Sequence, residues 1–217
     1  MNNLNRFIEQ TNLKPTFVAG DVDMLVNQAV ENNFLGICVP PFWVKKASRE
    51  IGNRDVQLVT VIGFPLGYNM TETKIQEIEL AMRDGADELD IVMNISSFKT
   101  GLPWTKIELA KCSNLIHDSY KLVKVIIETA YLSLKEIETA CKICADAGVD
   151  FVKTSTGFAG EGAKVEHIEL MRKILPSNVG IKASGGIKTY QQAVELVMAG
   201  ADRIGTSSGV EILAEAK

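Results

Sequence analysis

Short runs of apolar and β-branched residues recur along the chain, separated by longer stretches in which apolar positions return every three or four residues. The short runs have the continuous hydrophobicity of strands covered on both faces, and the longer stretches have the one-sided pattern of amphipathic helices. Eight runs predict strands, over residues 8–13, 35–39, 57–63, 88–94, 122–128, 150–154, 180–183 and 203–206. Between them, residues 71–83, 134–147 and 190–199 predict helices, the first with Ile75, Ile78 and Met82 on one face.

Three strands begin just after a glycine, in Gly85-Ala86-Asp87, Gly148-Val149-Asp150 and Gly200-Ala201-Asp202. A glycine there closes the preceding helix in a left-handed conformation and releases the chain into the next strand. Strands alternating with helices imply repeated βα units and a parallel sheet. Eight such units within 217 residues favour a closed (β/α)8 barrel over a doubly wound sheet, with residues 1–217 forming a single domain. Low-complexity segments and linkers are missing from the sequence.

With 46% hydrophobic and 23% charged residues, the composition is that of a soluble globular protein. The N-terminal sequence MNNLNRFIEQ has no basic segment leading into an apolar one. Nor does the chain contain about eighteen consecutive apolar residues, so we expect a cytoplasmic protein without a membrane partner. Cys38, Cys112, Cys141 and Cys144 are then reduced packing residues. The net charge of −4, with lysines interspersed among acidic residues, argues against a nucleic-acid partner. It leaves room for a local positive pocket that would take a small anion.

Chemistry in such barrels is carried at the C-terminal ends of the strands. Asp90, Lys153 and Lys182 each interrupt an apolar strand, and alternation turns them into the barrel while Leu89, Ile91, Val152 and Ile181 face the helices. A single strand lysine can be a solvated edge residue. Two on neighbouring buried strands must be paired or used, because an unpartnered buried ammonium costs several kcal/mol.

A lysine nucleophile has to be unprotonated, whereas its ordinary pKa is about 10.4. A second ammonium about 5 Å away, at an effective dielectric near 20, contributes roughly 3 kcal/mol toward that end. One of the two lysines can therefore activate the other, while Asp90 relays protons and keeps the second lysine charged.

Residues 182–188 and 205–209 supply Gly/Ser loops after the seventh and eighth strands, the second opening a short helix. Backbone N–H groups in such loops cradle a phosphate. Other constellations carry less. Cys141 and Cys144 have metal-like spacing but lie in a helical pattern with no second pair. His117 and His167 also fall in helical segments, fit no triad or metal motif, and are expected at the surface. Serines and threonines at strand ends lack a histidine base, and Asn94-Ile95-Ser96 is only formally a glycosylation sequon. We expect neither a metal nor a cofactor.

The segments Phe151-Val152-Lys153-Thr154-Ser155-Thr156-Gly157-Phe158 and Lys182-Ala183-Ser184-Gly185-Gly186-Ile187 resemble the two lysine motifs of deoxyribose-phosphate aldolases. The resemblance extends in order through residues 61–67, 85–90, 124–129 and 203–208. It implies metal-free, reversible cleavage of 2-deoxy-D-ribose 5-phosphate to D-glyceraldehyde 3-phosphate and acetaldehyde, with Lys153 forming the Schiff base. It further implies that Lys182 depresses the pKa of Lys153 and shuttles protons with Asp90. Gly157, Gly185, Gly186, Gly205, Ser207 and Ser208 would hold the phosphate.

The chain departs from the family pattern in places. Ile8-Glu9-Gln10-Thr11 stands where the family has Ile-Asp-His-Thr, and Cys38-Val39-Pro40-Pro41 stands for Cys-Val-Asn-Pro. The tyrosine-bearing tail of some members has no counterpart before Lys217. Two alternatives stand beside this reading: a Schiff-base aldolase acting on another phosphorylated sugar, and a non-catalytic phosphosugar-binding paralogue. Barrel enzymes in general suggest a homodimer.

Overall fold

All eight predicted strands form, and each lies parallel to its neighbour in the chain. They are β1 (Ile8–Thr11), β2 (Gly36–Val39), β3 (Gln57–Ile62), β4 (Glu88–Val92), β5 (Leu122–Ile126), β6 (Phe151–Lys153), β7 (Gly180–Ser184) and β8 (Arg203–Thr206). β8 pairs with β1, Gly205 opposite Glu9, and closes the barrel in sequence order. This computed structural model describes residue 1 and residues 3–215. Ala216 and Lys217, where the family's longer tail would continue, lie outside the described residues.

The helices are α1 (Ala19–Glu31), α2 (Val44–Ile51), α3 (Thr71–Asp84), α4 (Ile95–Lys99), α5 (Trp104–His117), α6 (Leu134–Asp146), α7 (Val165–Ile174), α8 (Tyr190–Met198) and α9 (Gly209–Ala214). Among the described residues, none of them is long and apolar enough to cross a membrane. Outward strand residues such as Leu89, Ile91, Val152 and Ile181 are fully buried in the main core beneath the helices. Inside the barrel, Cys38, Val59 and Val61 form a separate apolar cluster with Leu13 and Phe64 packed against it.

Several strands stop short of the hydrophobic pattern at their C-terminal ends, where local polar contacts redirect the chain. Asn94 leaves β4 and caps α4, its side chain accepting the Ser97 N–H at 3.0 Å. Beyond β5, Glu128 takes a left-handed conformation at φ 48°, ψ 73°. Periodicity alone does not register such turns.

The Gly-apolar-Asp motif does more than stop a helix. Asp87, Asp150 and Asp202 donate their N–H groups to the carbonyls of Leu58, Val123 and Ile181. Their side-chain carboxylates accept the N–H of the same three residues at 3.0, 2.8 and 2.8 Å. Each aspartate thus staples its own strand to the preceding one at the N-terminal face of the barrel.

The predicted helix α3 forms, and one histidine lies elsewhere than expected. On α3 the deepest positions are Lys74, Ile78 and Ala81, whereas Ile75 and Met82 are half-buried. Lys74 can be buried because its Nζ donates to Glu108 at 2.6 Å and to the Val92 carbonyl at 2.9 Å. His167 is buried on α7 rather than at the surface, and desolvation holds its pKa below the usual histidine value. His117 is exposed as expected, its Nε2 lying 2.9 Å from Asp150. All four cysteines are free and buried.

Candidate active site

Inward-facing residues of five strands meet in a buried charge cluster. Lys153 and Lys182, register partners on β6 and β7, both donate to Oδ2 of Asp90, at 2.8 and 2.7 Å. Oδ1 of the same carboxylate accepts from Lys124, its register partner on β5, at 3.0 Å. Lys124 also lies 2.5 Å from Glu88, while Glu9 pairs with Lys182 and stands 3.6 Å from Lys124. Three ammonium groups therefore face three carboxylates, all of them buried. This balance permits the burial: any one of these charges left unpaired would be strongly destabilising.

The cluster sets the protonation states of its members. Burial is the leading influence on Lys153 and holds its pKa below the ordinary lysine value, with Lys182 assisting and Asp90 opposing. Like-charge repulsion from Lys182 acts in the same direction as this desolvation. Burial also acts against a charged Lys182, but Asp90 and Glu9 overcome it and raise that lysine. Asp90 is held well below the usual carboxylate range because Lys124, Lys153 and Lys182 together outweigh its desolvation.

At the C-terminal mouth a cavity of about 280 Å³ is lined by Lys153 and by the predicted phosphate residues Gly157, Gly185, Gly186, Gly205 and Ser207. Lys182 and Asp90 are completely buried and do not line it, so among the buried lysines only Lys153 opens onto the cavity. Ser208 is also absent from the lining, and its N–H is spent on Thr206 Oγ1 at 3.0 Å. Lys14 and Lys188 add positive charge to the rim.

The departures at the N-terminal block lie away from this cavity. Glu9 is absorbed into the ion pairs. Gln10 accepts from Gly209 N–H at 3.0 Å and donates to the Ser207 carbonyl at 3.3 Å, tying down the loop after β8. Pro40 leads into the short 3-10 turn Pro41–Trp43.

The sequence pattern by itself assigns no chemical role to Lys124, Glu88, Lys14, Lys188 or Glu128. For Lys124 the signal was present, since it stands between Val123 and Val125 in the way that Lys153 follows Val152. Glu88 lies two positions before Asp90 and so shares its face. Glu128 carried no periodic signal, because its orientation comes from a left-handed turn.

A parallel barrel whose mouth opens on one of its buried amines, with a carboxylate and a second lysine behind it, has the layout of an enzyme suited to amine-based covalent chemistry. The profile of the DeoC/LacD family aldolases matches residues 8–215, and the chain belongs to that family. A deoxyribose-phosphate aldolase of Thermococcus kodakarensis is 48% identical over 96% of this chain and 94% of that protein. A solved aldolase structure superposes with a TM-score of 0.94 at 40% identity, covering 100% of this chain and 96% of the other. The tetrameric deoxyribose phosphate aldolase of Aeropyrum pernix superposes with a TM-score of 0.92 at 34% identity, covering 98% and 90%.

Proposed function

We propose that the protein is a class I aldolase that reversibly cleaves 2-deoxy-D-ribose 5-phosphate to D-glyceraldehyde 3-phosphate and acetaldehyde. The observation that carries this reading is that Lys153 alone among the buried lysines reaches the cavity, with its pKa lowered. Its free amine adds to the C1 carbonyl, and the carbinolamine hydroxyl takes up a proton and leaves as water to give an iminium, the proton being returned when the product iminium is hydrolysed. The C3 hydroxyl then gives up its proton, the C2–C3 bond breaks, and the electron pair enters the iminium to form an enamine. Protonation of C2 and hydrolysis release acetaldehyde and restore the amine.

Asp90 and Lys182 are 2.7 Å apart and suit the proton traffic. Both are buried behind Lys153, so each acts through water: the carboxylate takes the C3 hydroxyl proton, and the ammonium returns one to C2. Transfer between them resets the pair. The substrate phosphate sits among Gly157, Gly185, Gly186, Gly205 and Ser207, with Ser208 supporting the loop and Lys14 and Lys188 contributing charge. Positive φ at Gly157, Gly185 and Gly186 suits loops that bring backbone N–H groups toward an anion.

The decisive experiment is borohydride trapping with acetaldehyde followed by peptide mapping, alongside an assay of cleavage of several sugar phosphates. An adduct on Lys153 and preference for 2-deoxyribose 5-phosphate are expected. An adduct on Lys182, or none, would overturn the reading. The same proposal makes this a cytoplasmic enzyme acting as a homodimer, and light scattering on the purified protein decides between that and the tetramer described for the Aeropyrum pernix relative.

A further inference from the structure

Glu128 is buried just beyond β5, and its backbone sits in the left-handed region at φ 48°, ψ 73°. For a residue with a branched or long side chain that conformation costs on the order of 1–3 kcal/mol, and it persists where the surroundings hold it. Here the hold is visible. Oε2 of Glu128 accepts the N–H of Thr156 at 3.1 Å and also the Thr156 hydroxyl. Thr156 Oγ1 in turn accepts the N–H of Phe158 at 3.1 Å. The flanking backbone is tied as well, with Thr129 N–H donating to the Thr154 carbonyl at 2.9 Å.

These bonds fold residues 154–158 around the carboxylate. Gly157 lies between the two anchored N–H groups, has φ +86°, and lines the cavity together with Thr156 and Phe158. The N–H and the hydroxyl of Thr156 are both given to Glu128, while the next residue, Gly157, is left to the cavity. Oε1 of Glu128 is buried without a partner among the described residues, so the carboxylate is held chiefly by what Oε2 does for this loop.

We infer that Glu128 is a positioning residue for phosphate recognition, acting through Thr156 to shape the loop that presents Gly157. The inference rests on the phosphate assignment above. It makes an acidic residue a determinant of affinity for a phosphorylated substrate, through an acceptor oxygen rather than through charge.

The test compares Glu128→Ala and Glu128→Gln with the unaltered protein on 2-deoxyribose 5-phosphate and on 2-deoxyribose. A wild-type protein that shows no preference for the phosphorylated sugar would remove the phosphate assignment itself, independently of Glu128. Given that preference, Glu128→Ala should raise KM for the phosphorylated sugar about ten- to a hundredfold, with a smaller loss on the unphosphorylated one. Glu128→Gln, which keeps an acceptor oxygen, should recover most of the affinity. Equal proportional losses on the two substrates would reduce Glu128 to general support of the barrel and overturn the inference. So would a Gln variant as impaired as the Ala variant. If Glu128→Ala fails to fold by circular dichroism, Glu128→Met, similar in length but without an acceptor, takes its place with the same expected outcomes.

Discussion

Lys153 and Lys182 donate to one and the same oxygen, Oδ2 of Asp90, while the other oxygen of that carboxylate belongs to Lys124. One amine faces the cavity and the other does not. The two lysines therefore differ in reach although they share a counter-charge, and their tasks can be separated by substitution.

Asp90→Asn should separate Schiff-base formation from turnover. Asp90 opposes the lowering of the Lys153 pKa, so its loss leaves at least as much free amine at neutral pH. Trapping by borohydride should persist, while cleavage falls by roughly 10²- to 10⁴-fold, the usual worth of a placed acid–base group. Trapping and turnover that decline in parallel would contradict this division of labour.

Lys182→Leu tests how Lys153 is activated. Lys182 helps to lower the Lys153 pKa, so removing it should move the onset of trapping to higher pH, but burial remains as the leading influence. Raising the pH should therefore recover trapping more fully than it recovers turnover, which still lacks the proton donor. Full recovery of turnover at high pH would restore like-charge repulsion as the main purpose of Lys182.

In the phosphate loops, Gly186→Val places a branched side chain on a backbone at φ +74° in the cavity lining, whereas Ser208 lies outside that lining. The valine variant should lose kcat/KM on the phosphorylated sugar by at least about tenfold, while Ser208→Ala should change it by less. Steady-state kinetics on phosphorylated and unphosphorylated deoxyribose measure the contrast. A larger loss for Ser208→Ala would move the phosphate toward the N-terminal end of α9.

At the opposite face, Asp150→Ala leaves the Val123 N–H without its side-chain acceptor. A partly buried donor so exposed to loss should cost about 1 kcal/mol, or roughly 2–4 °C in Tm for a chain of this size. Thermal unfolding followed by circular dichroism should show that drop with kcat/KM nearly unchanged. A large catalytic defect at unchanged Tm would refute the structural role.

Much of this molecule could be read from residue pattern because the barrel imposes strict rules. Alternation in β4, β6 and β7 was enough to turn Asp90, Lys153 and Lys182 inward, and the glycine stops marked three helix ends. The same alternation places Lys124 and Glu88 inward but attaches no chemistry to them. What remained hidden depends on contacts between distant segments. The desolvation of Lys153, the engagement of Gln10 with the loop after β8, and the left-handed turn at Glu128 have no periodic trace. Likewise, helical spacing alone could not show that Lys74 would be buried against Glu108.

The three aspartate staples have a consequence for how such an enzyme can change. They join β3 to β4, β5 to β6 and β7 to β8 at the face remote from the cavity, using backbone groups that any side chains on those strands would leave available. Register is thereby fastened at one rim while the loops at the other rim are free to vary in length and chemistry. A lineage inheriting these clasps can trade one sugar for another without relearning how to close the barrel.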